Sequence, residues 1–252
     1  MDDVLFVDAA LSRRLELAEA ETGAECALTM MRINPGAGAA VETIAGGRAV
    51  FTGMGSPLTQ ATGVGVDGEV SAEEFARLED FYFSRGAAVN VETSPFAHPS
   101  LFEHYGKYGY GATEHSSVLV RDLKEDEPRA KSERLRIEIV ESAQDDLWVR
   151  TVAAGFAEHF PVTEELLAVM GLFAAGPNSR KYLAFVDGKV AGGGALSMRD
   201  GVAGIFGAST LPEFRRRGVQ RELIRVRLEA AREAGCDIAL TFTQVGSGSQ
   251  RN

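Results

Sequence analysis

The chain has 252 residues, 45% hydrophobic and 25% charged, enough apolar material for one large or two small folded domains and too much for a disordered one. A formal net charge of −10 argues against a general affinity for nucleic acid or anionic membrane, since both require a basic surface. The two cysteines, Cys26 and Cys236, lie far apart without ligand spacing, so neither a disulfide framework nor a zinc site is expected, and a reducing cytoplasmic setting is. The start Met1-Asp2-Asp3 lacks the basic-then-apolar pattern of a signal peptide, and no apolar run reaches the roughly 18 residues of a membrane span.

In the first half, Leu11 to Glu21 reads as a helix and Ala40 to Phe51 as a strand pair turned at Gly46-Gly47. Ser71-x-x-Glu74 is a capping box for a helix that carries Phe75, Leu78 and Tyr82 and stops at Gly86. Ala87 to Glu92 reads as a strand, Pro99 to about Tyr108 as a short helix, and Thr113 to Val120 as a strand completing this half. Charged residues and a proline then fill Arg121 to Arg134, which reads as a solvated linker. The expected division is a domain over 1–121, a linker over 122–134 and a second domain over 135–252.

The second half opens with a strand, Leu135 to Val140, followed by a helix led by Asp145 and Asp146 with Trp148, Val152 and Phe156 on its apolar side. Thr163 caps the next helix, which carries Glu164 and Glu165 in its first turn, then Leu166, Leu167, Met170 and Phe173, and ends at Gly176-Pro177. Tyr182 to Val186, Lys189 to Ser197 and Val202 to Ser209 form three antiparallel strands, because Asp187-Gly188 and Asp200-Gly201 suit tight type I′ turns. A helix with Val219, Leu223, Val226 and Ala230 runs to Gly235, and Asp237 to Val245 is a final strand.

The most informative stretch is Thr210-Leu211-Pro212-Glu213-Phe214-Arg215-Arg216-Arg217-Gly218-Val219-Gln220-Arg221. A strand passes there through a basic, glycine-bearing turn into a helix, so backbone N–H groups, a helix dipole and arginines converge where a polyanion such as a pyrophosphate would sit. A solvated basic patch is the bland alternative. Gly192-Gly193-Gly194 reads either as close packing or as an open strand edge beside a substrate. His98, His104, His115 and His159 show no ligand spacing, so no metal is expected.

Residues 135–252 resemble the GNAT acyltransferase superfamily, whose Arg-x-x-Gly-x-Gly/Ala loop is matched by Arg215-Arg216-Arg217-Gly218-Val219-Gln220 after the strand Gly207-Ala208-Ser209-Thr210, with Gly246-Ser247-Gly248-Ser249-Gln250-Arg251-Asn252 following later. The resemblance implies an α/β fold of the α+β type: two GNAT-like lobes, each a mixed, mostly antiparallel sheet flanked by helices. It further implies transfer of an acetyl group from acetyl-CoA to the amine of a small molecule or peptide, by direct attack and without a metal. The backbone of Ala208 and Thr210 would pair with the pantetheine arm, and the amides from Arg216 to Arg221, with Arg215 beside them, would cradle the pyrophosphate. Ser249 and Asn252 would lie near the thiol end. Gln220 replaces the small residue usual at its position.

In this resemblance the first half is a degenerate lobe, because Gly63-Val64-Gly65-Val66-Asp67-Gly68 precedes its helix without an arginine. Tyr105-x-x-x-Gly109-Tyr110 is similar to the Tyr-x-x-x-Gly-Phe ending that the second half lacks, although a half-buried packing role is the preferred reading of Tyr105. The chain stops at Asn252, where the family's last helix begins. The tyrosine that protonates the departing thiolate is absent, and Asp237 to Val245 would adjoin an unfilled sheet position, so of the two alternatives, a natural short form and a fragment of a longer product, the fragment is expected. No catalytic residue is fixed; Glu158, as a water-relayed base, and Ser249 are the candidates. The alternative to an enzyme is a non-catalytic CoA-binding sensor or scaffold. A cationic amine suits the acidic surface, and a homodimer is left open.

Overall fold

The computed structural model describes residues 5–123, 134–156 and 161–251, and the chain divides into two compact units, Met1–Glu114 and His115–Asn252. The expected α+β architecture is present, with two mostly antiparallel sheets flanked by helices.

The first unit opens with α1 (Ala9–Ile33), capped by Asp8 through its bond from Leu11 N–H and far longer than the expected segment. Its buried positions include Ser12, Glu16 and Thr29 as well as apolar residues, so apolar periodicity alone does not mark its length. The hairpin β1 (Ala40–Ile44) and β2 (Gly47–Phe51) turns at Ala45-Gly46, and the sheet continues through β3 (Ala61–Thr62). Next come α2 (Ala72–Phe83), the last strand β4 (Val91–Glu92) and α3 (Pro99–Tyr108). Both arms of the Ser71/Glu74 capping box form. Phe75, Leu78, Phe81, Tyr82 and Leu101 join the strands in one core. The Tyr105 ring packs edge-on to Phe75 and its hydroxyl meets Thr93 Oγ1 at 2.9 Å, the contacts of a packing residue.

The second unit holds a six-stranded sheet. Its chain order is β5 (Ser116–Asp122), β6 (Leu135–Ile139), α4 (Asp145–Phe156), α5 (Glu164–Ala175), β7 (Arg180–Val186), β8 (Lys189–Arg199), β9 (Val202–Thr210), α6 (Val219–Glu233) and β10 (Ile238–Gln244), with spatial order β5-β10-β9-β8-β7-β6. Asp187-Gly188 and Asp200-Gly201 all have positive φ, as type I′ hairpins demand. Tyr182, Leu196, Ala203, Leu223 and Ala231 pack α6 onto one sheet face, while buried Trp148 and Val152 belong to α4.

Two expectations are corrected. The strand read as closing the first half is β5, which pairs antiparallel with β10 along Ile238↔Asp122 to Gln244↔Ser116 and so belongs to the second sheet. That pairing also fills the position beside β10 that was expected to stand empty, so β10 has neighbours on both sides. The charged stretch read as a linker falls mostly on 124–133, outside the described residues.

Candidate functional site

The site is a split in the second sheet. β9 and β10 run parallel and pair only over Ile238↔Val202, Ala239↔Ala203 and Leu240↔Gly204. β9 continues to Thr210 against β8, and β10 to Gln244 against β5. The two strands therefore separate beyond Gly204 and Leu240, leaving facing edges whose peptide groups lack each other as partners. Leu211 N–H donates to Ala191 O of the β8 segment at 2.9 Å, so by alternation the Thr210 and Ala208 peptide groups turn toward the split. The Thr210 hydroxyl is buried without a hydrogen-bond partner among the described residues.

A bulge shapes the β9 edge. Ala195 opposes Phe206 and Gly193 opposes Ser209, so Gly207 and Ala208 together face the single residue Gly194. Gly207 has φ +51°, the left-handed first position of such a bulge. The Trp148 indole N–H reaches Gly194 O at 3.3 Å from one face, and Arg227 reaches Ala195 O and Phe206 O at 3.1 and 3.3 Å from the other. Phe173 of α5 packs edge-on to Phe206 with centroids 4.9 Å apart, which makes this end of the split partly aromatic.

The basic turn lies at the mouth. β9 leads through a single 3₁₀ turn, Pro212–Phe214, into α6, whose bond from Glu222 N–H to Gly218 O at 3.0 Å is the first in its ladder. The amides of Gly218 to Arg221 precede that bond, at the positive end of a 15-residue helix. Gly218 is the N-cap at φ +82°, with no side-chain cap, and Arg216 is also left-handed at φ +59° although it carries a side chain. Such backbone geometry persists only where its surroundings impose it.

The arginines divide into two kinds. Arg215 is half-buried and structural: its guanidinium donates to Gly155 O at 3.1 Å and to Thr210 O at 3.4 Å, tying the turn to the end of α4. Arg216 and Arg221 are exposed, and exposed Arg217 sits over the Phe214 ring at 5.5 Å. Val219 is buried against the core and Gln220 is half-buried. Ser249 is exposed in the turn after β10, where its neighbour Gln250 bonds Ser117 of β5 at 2.9 Å, a contact on the far side of β10 from the split. Glu158, His159 and Asn252 lie outside the described residues.

Gly192, Gly193 and Gly194 are a packing feature, because β8 lies between β7 and β9 and has no open edge. A Cβ on Gly193 would meet Val152 Cγ2 at 2.9 Å, and one on Gly194 would meet the Arg227 Cζ at 3.0 Å. Sequence reasoning missed Trp148, Gly155 and Arg227, whose roles depend on partners 46, 60 and 32 or fewer residues away. The signals available were glycines within strand patterns: Gly207, and Gly193 and Gly194, against which Trp148 and Arg227 pack. Among the described residues, no group of three His, Cys, Asp or Glu side chains could hold a metal ion.

Residues 141–251 match the Acetyltransferase (GNAT) family. A GCN5-related N-acetyltransferase from Kribbella flavida is similar over 91% of this chain and 87% of its own, with TM-score 0.60 at 15% identity. A GNAT family acetyltransferase from Brucella melitensis, in complex with acetyl-CoA, covers 48% of this chain and 83% of its own at 22% identity and TM-score 0.39. AAC(6')-Iy, in complex with a bisubstrate analog, covers 46% and 84% at 20% identity and TM-score 0.38. A search of curated proteins found no match. The first unit's likeness is one of structure alone, whereas the match to the Acetyltransferase (GNAT) family covers residues 141–251, less than half of the chain.

Proposed function

We propose that the second unit transfers an acetyl group from acetyl-CoA to the amine of a small molecule or peptide. The observation that carries this reading is the split between β9 and β10 with the first-turn amides of α6, uncapped by any side chain at Gly218, at its mouth. The fit of a CoA thioester rests on two features: a strand edge facing the split with a buried Thr210 hydroxyl that has no hydrogen-bond partner among the described residues, for an amide-bearing arm, and a cationic helix start for a diphosphate.

In this reading Ala208 and Thr210 bind the arm, the amides from Arg216 to Arg221 hold the pyrophosphate, and Arg216, Arg217 and Arg221 supply charge. Arg215 serves as a brace rather than a ligand, since its donors already end on Gly155 and Thr210 carbonyls. The amine nitrogen forms the new C–N bond as the thioester C–S bond breaks, and the proton that the amine loses balances the one gained by sulfur. The protein supplies proximity and an N–H contact from the bulged strand to the developing oxyanion. A cationic acceptor such as an amino sugar, polyamine or lysine-like amine, in a reducing cytoplasm, is the matching setting for a chain of net charge −10.

Calorimetric titration with CoA and with adenosine bisphosphate, followed by thiol release over a panel of amines, tests the reading. Saturable CoA binding, a large gain from the arm, and turnover on at least one amine are expected. Binding without turnover on any amine would reassign the unit as a CoA-binding module, and equal affinity for both ligands would sink the strand-edge part.

A further inference from the structure

Arg227 is only 1% exposed, yet no carboxylate pairs with it among the described residues. Its donors end on Leu223 O at 2.9 Å, one turn back along α6, and on the two strand carbonyls Ala195 O and Phe206 O. Burying an ion costs several kcal/mol after relaxation, and apolar residues of similar volume commonly do as well or better where only packing is needed. Burial lowers its pKa to about 10, which still leaves it a cation at neutral pH.

The position of this cation is specific. It lies where the bulge opens the β8–β9 ladder, and Gly194 admits it because any Cβ there would meet the guanidinium at 3.0 Å. The Phe206 carbonyl that it holds belongs to the same planar trans peptide group as the Gly207 N–H, so that N–H points the opposite way, off the α6 side. On that other side Trp148 and Phe173 approach Gly207, at 3.4 and 3.7 Å from a Cβ built on it.

We propose that Arg227 is a positioning residue for acyl transfer: it fixes the Phe206–Gly207 peptide with its N–H outward and strengthens that N–H as a donor to the acyl oxygen. A charged donor on one end of a peptide group polarises the other end, and an uncompensated cation in a low-dielectric interior favours negative charge nearby. The inference rests on the acetyl-transfer reading above, since only a developing oxyanion gives the polarised N–H a task.

Isotope-edited infrared spectroscopy of carbonyl-labelled acetyl-CoA bound to the wild type, Arg227→Lys, Arg227→Gln and Arg227→Met tests it without an acceptor. The bound carbonyl band of the wild type should lie below that of free acetyl-CoA. The Gln and Met variants should lose most of that shift and Lys should keep more of it, while CoA affinity stays within about twofold because the pyrophosphate turn is separate. An unshifted band in the wild type, an equal shift in all four proteins, or a parallel loss of CoA affinity would overturn the proposal. So would failure of all three variants to fold, since the guanidinium would then be serving the backbone. If the wild type does not bind acetyl-CoA at all, the functional reading beneath it fails as well.

Discussion

Substitution of Gly218 by asparagine, alanine and valine separates the shape of the basic turn from its charge. Gly218 sits at φ +82° and ψ +7°, and a Cβ there would meet only Leu135 Cδ1, at 3.7 Å, so the penalty for a side chain is conformational rather than a clash within the protein. The left-handed region costs ordinary L-residues about 1–2 kcal/mol, least for asparagine and most for β-branched residues. Alanine should therefore lower the free energy of urea unfolding by about 1 kcal/mol while the turn keeps its form. Valine should relax to negative φ, which swings the amides of Gly218 to Arg221 out of line. Two charge-assisted hydrogen bonds lost at about 1.5–3 kcal/mol each exceed about 3 kcal/mol, more than a hundredfold in the Kd for CoA. Titration calorimetry reads that loss directly, with asparagine remaining within about tenfold of the wild type as the control for backbone shape. A folded valine variant that binds CoA as tightly as the wild type would refute the claim that these amides hold the diphosphate.

Arg216→Gly should raise stability by up to about 1 kcal/mol in urea unfolding, by releasing a left-handed side-chain residue, and should weaken CoA binding; unchanged affinity would make the strain incidental. Gly155→Ala would place a methyl group inside the contact distance of Ser209 Oγ, which donates to Val152 O at 2.8 Å, so a loss of about 1–3 kcal/mol in unfolding free energy is expected. In the first unit, burial and then repulsion from Glu92 raise Glu16 and Glu19 from 4.5 to about 7, and Glu16 Oε2 is buried without a hydrogen-bond partner among the described residues. Folded-state pKa values above the unfolded ones mean that the folded unit holds more protons, so stability contributed by these groups is full below about pH 4.5 and is lost as pH rises through about 7. Glu16→Gln should accordingly stabilise the unit at pH 8, with an upper bound of about 3 kcal/mol, and flatten the pH slope of unfolding measured by circular dichroism; an unchanged slope would remove Glu16 from this account.

Features with local causes were legible in the residues alone. The Ser71/Glu74 and Thr163 caps, the two Asp-Gly hairpins, the helix stop at Gly235 and the basic turn into α6 each depend on neighbours within a few positions, and each forms where the chain order places it. The same holds for the three-strand run from β7 to β9, because tight turns leave adjacent strands little choice but to pair. The length of α1 was not legible: its buried Ser12, Glu16 and Thr29 break the apolar period by which a helix is recognised.

Sequence by itself thus determined the helix and hairpin content of the second unit and the one turn fit for a polyanion, since backbone dihedrals and capping are set by short-range chemistry. Only the tertiary structure decided that β5 completes the second sheet rather than the first, that β9 and β10 part beyond Gly204, and that Arg227 and Trp148 reach the bulge from opposite faces. Those outcomes depend on which distant strand edges and carbonyls need partners once the core has formed, a competition among non-local contacts that no local pattern encodes.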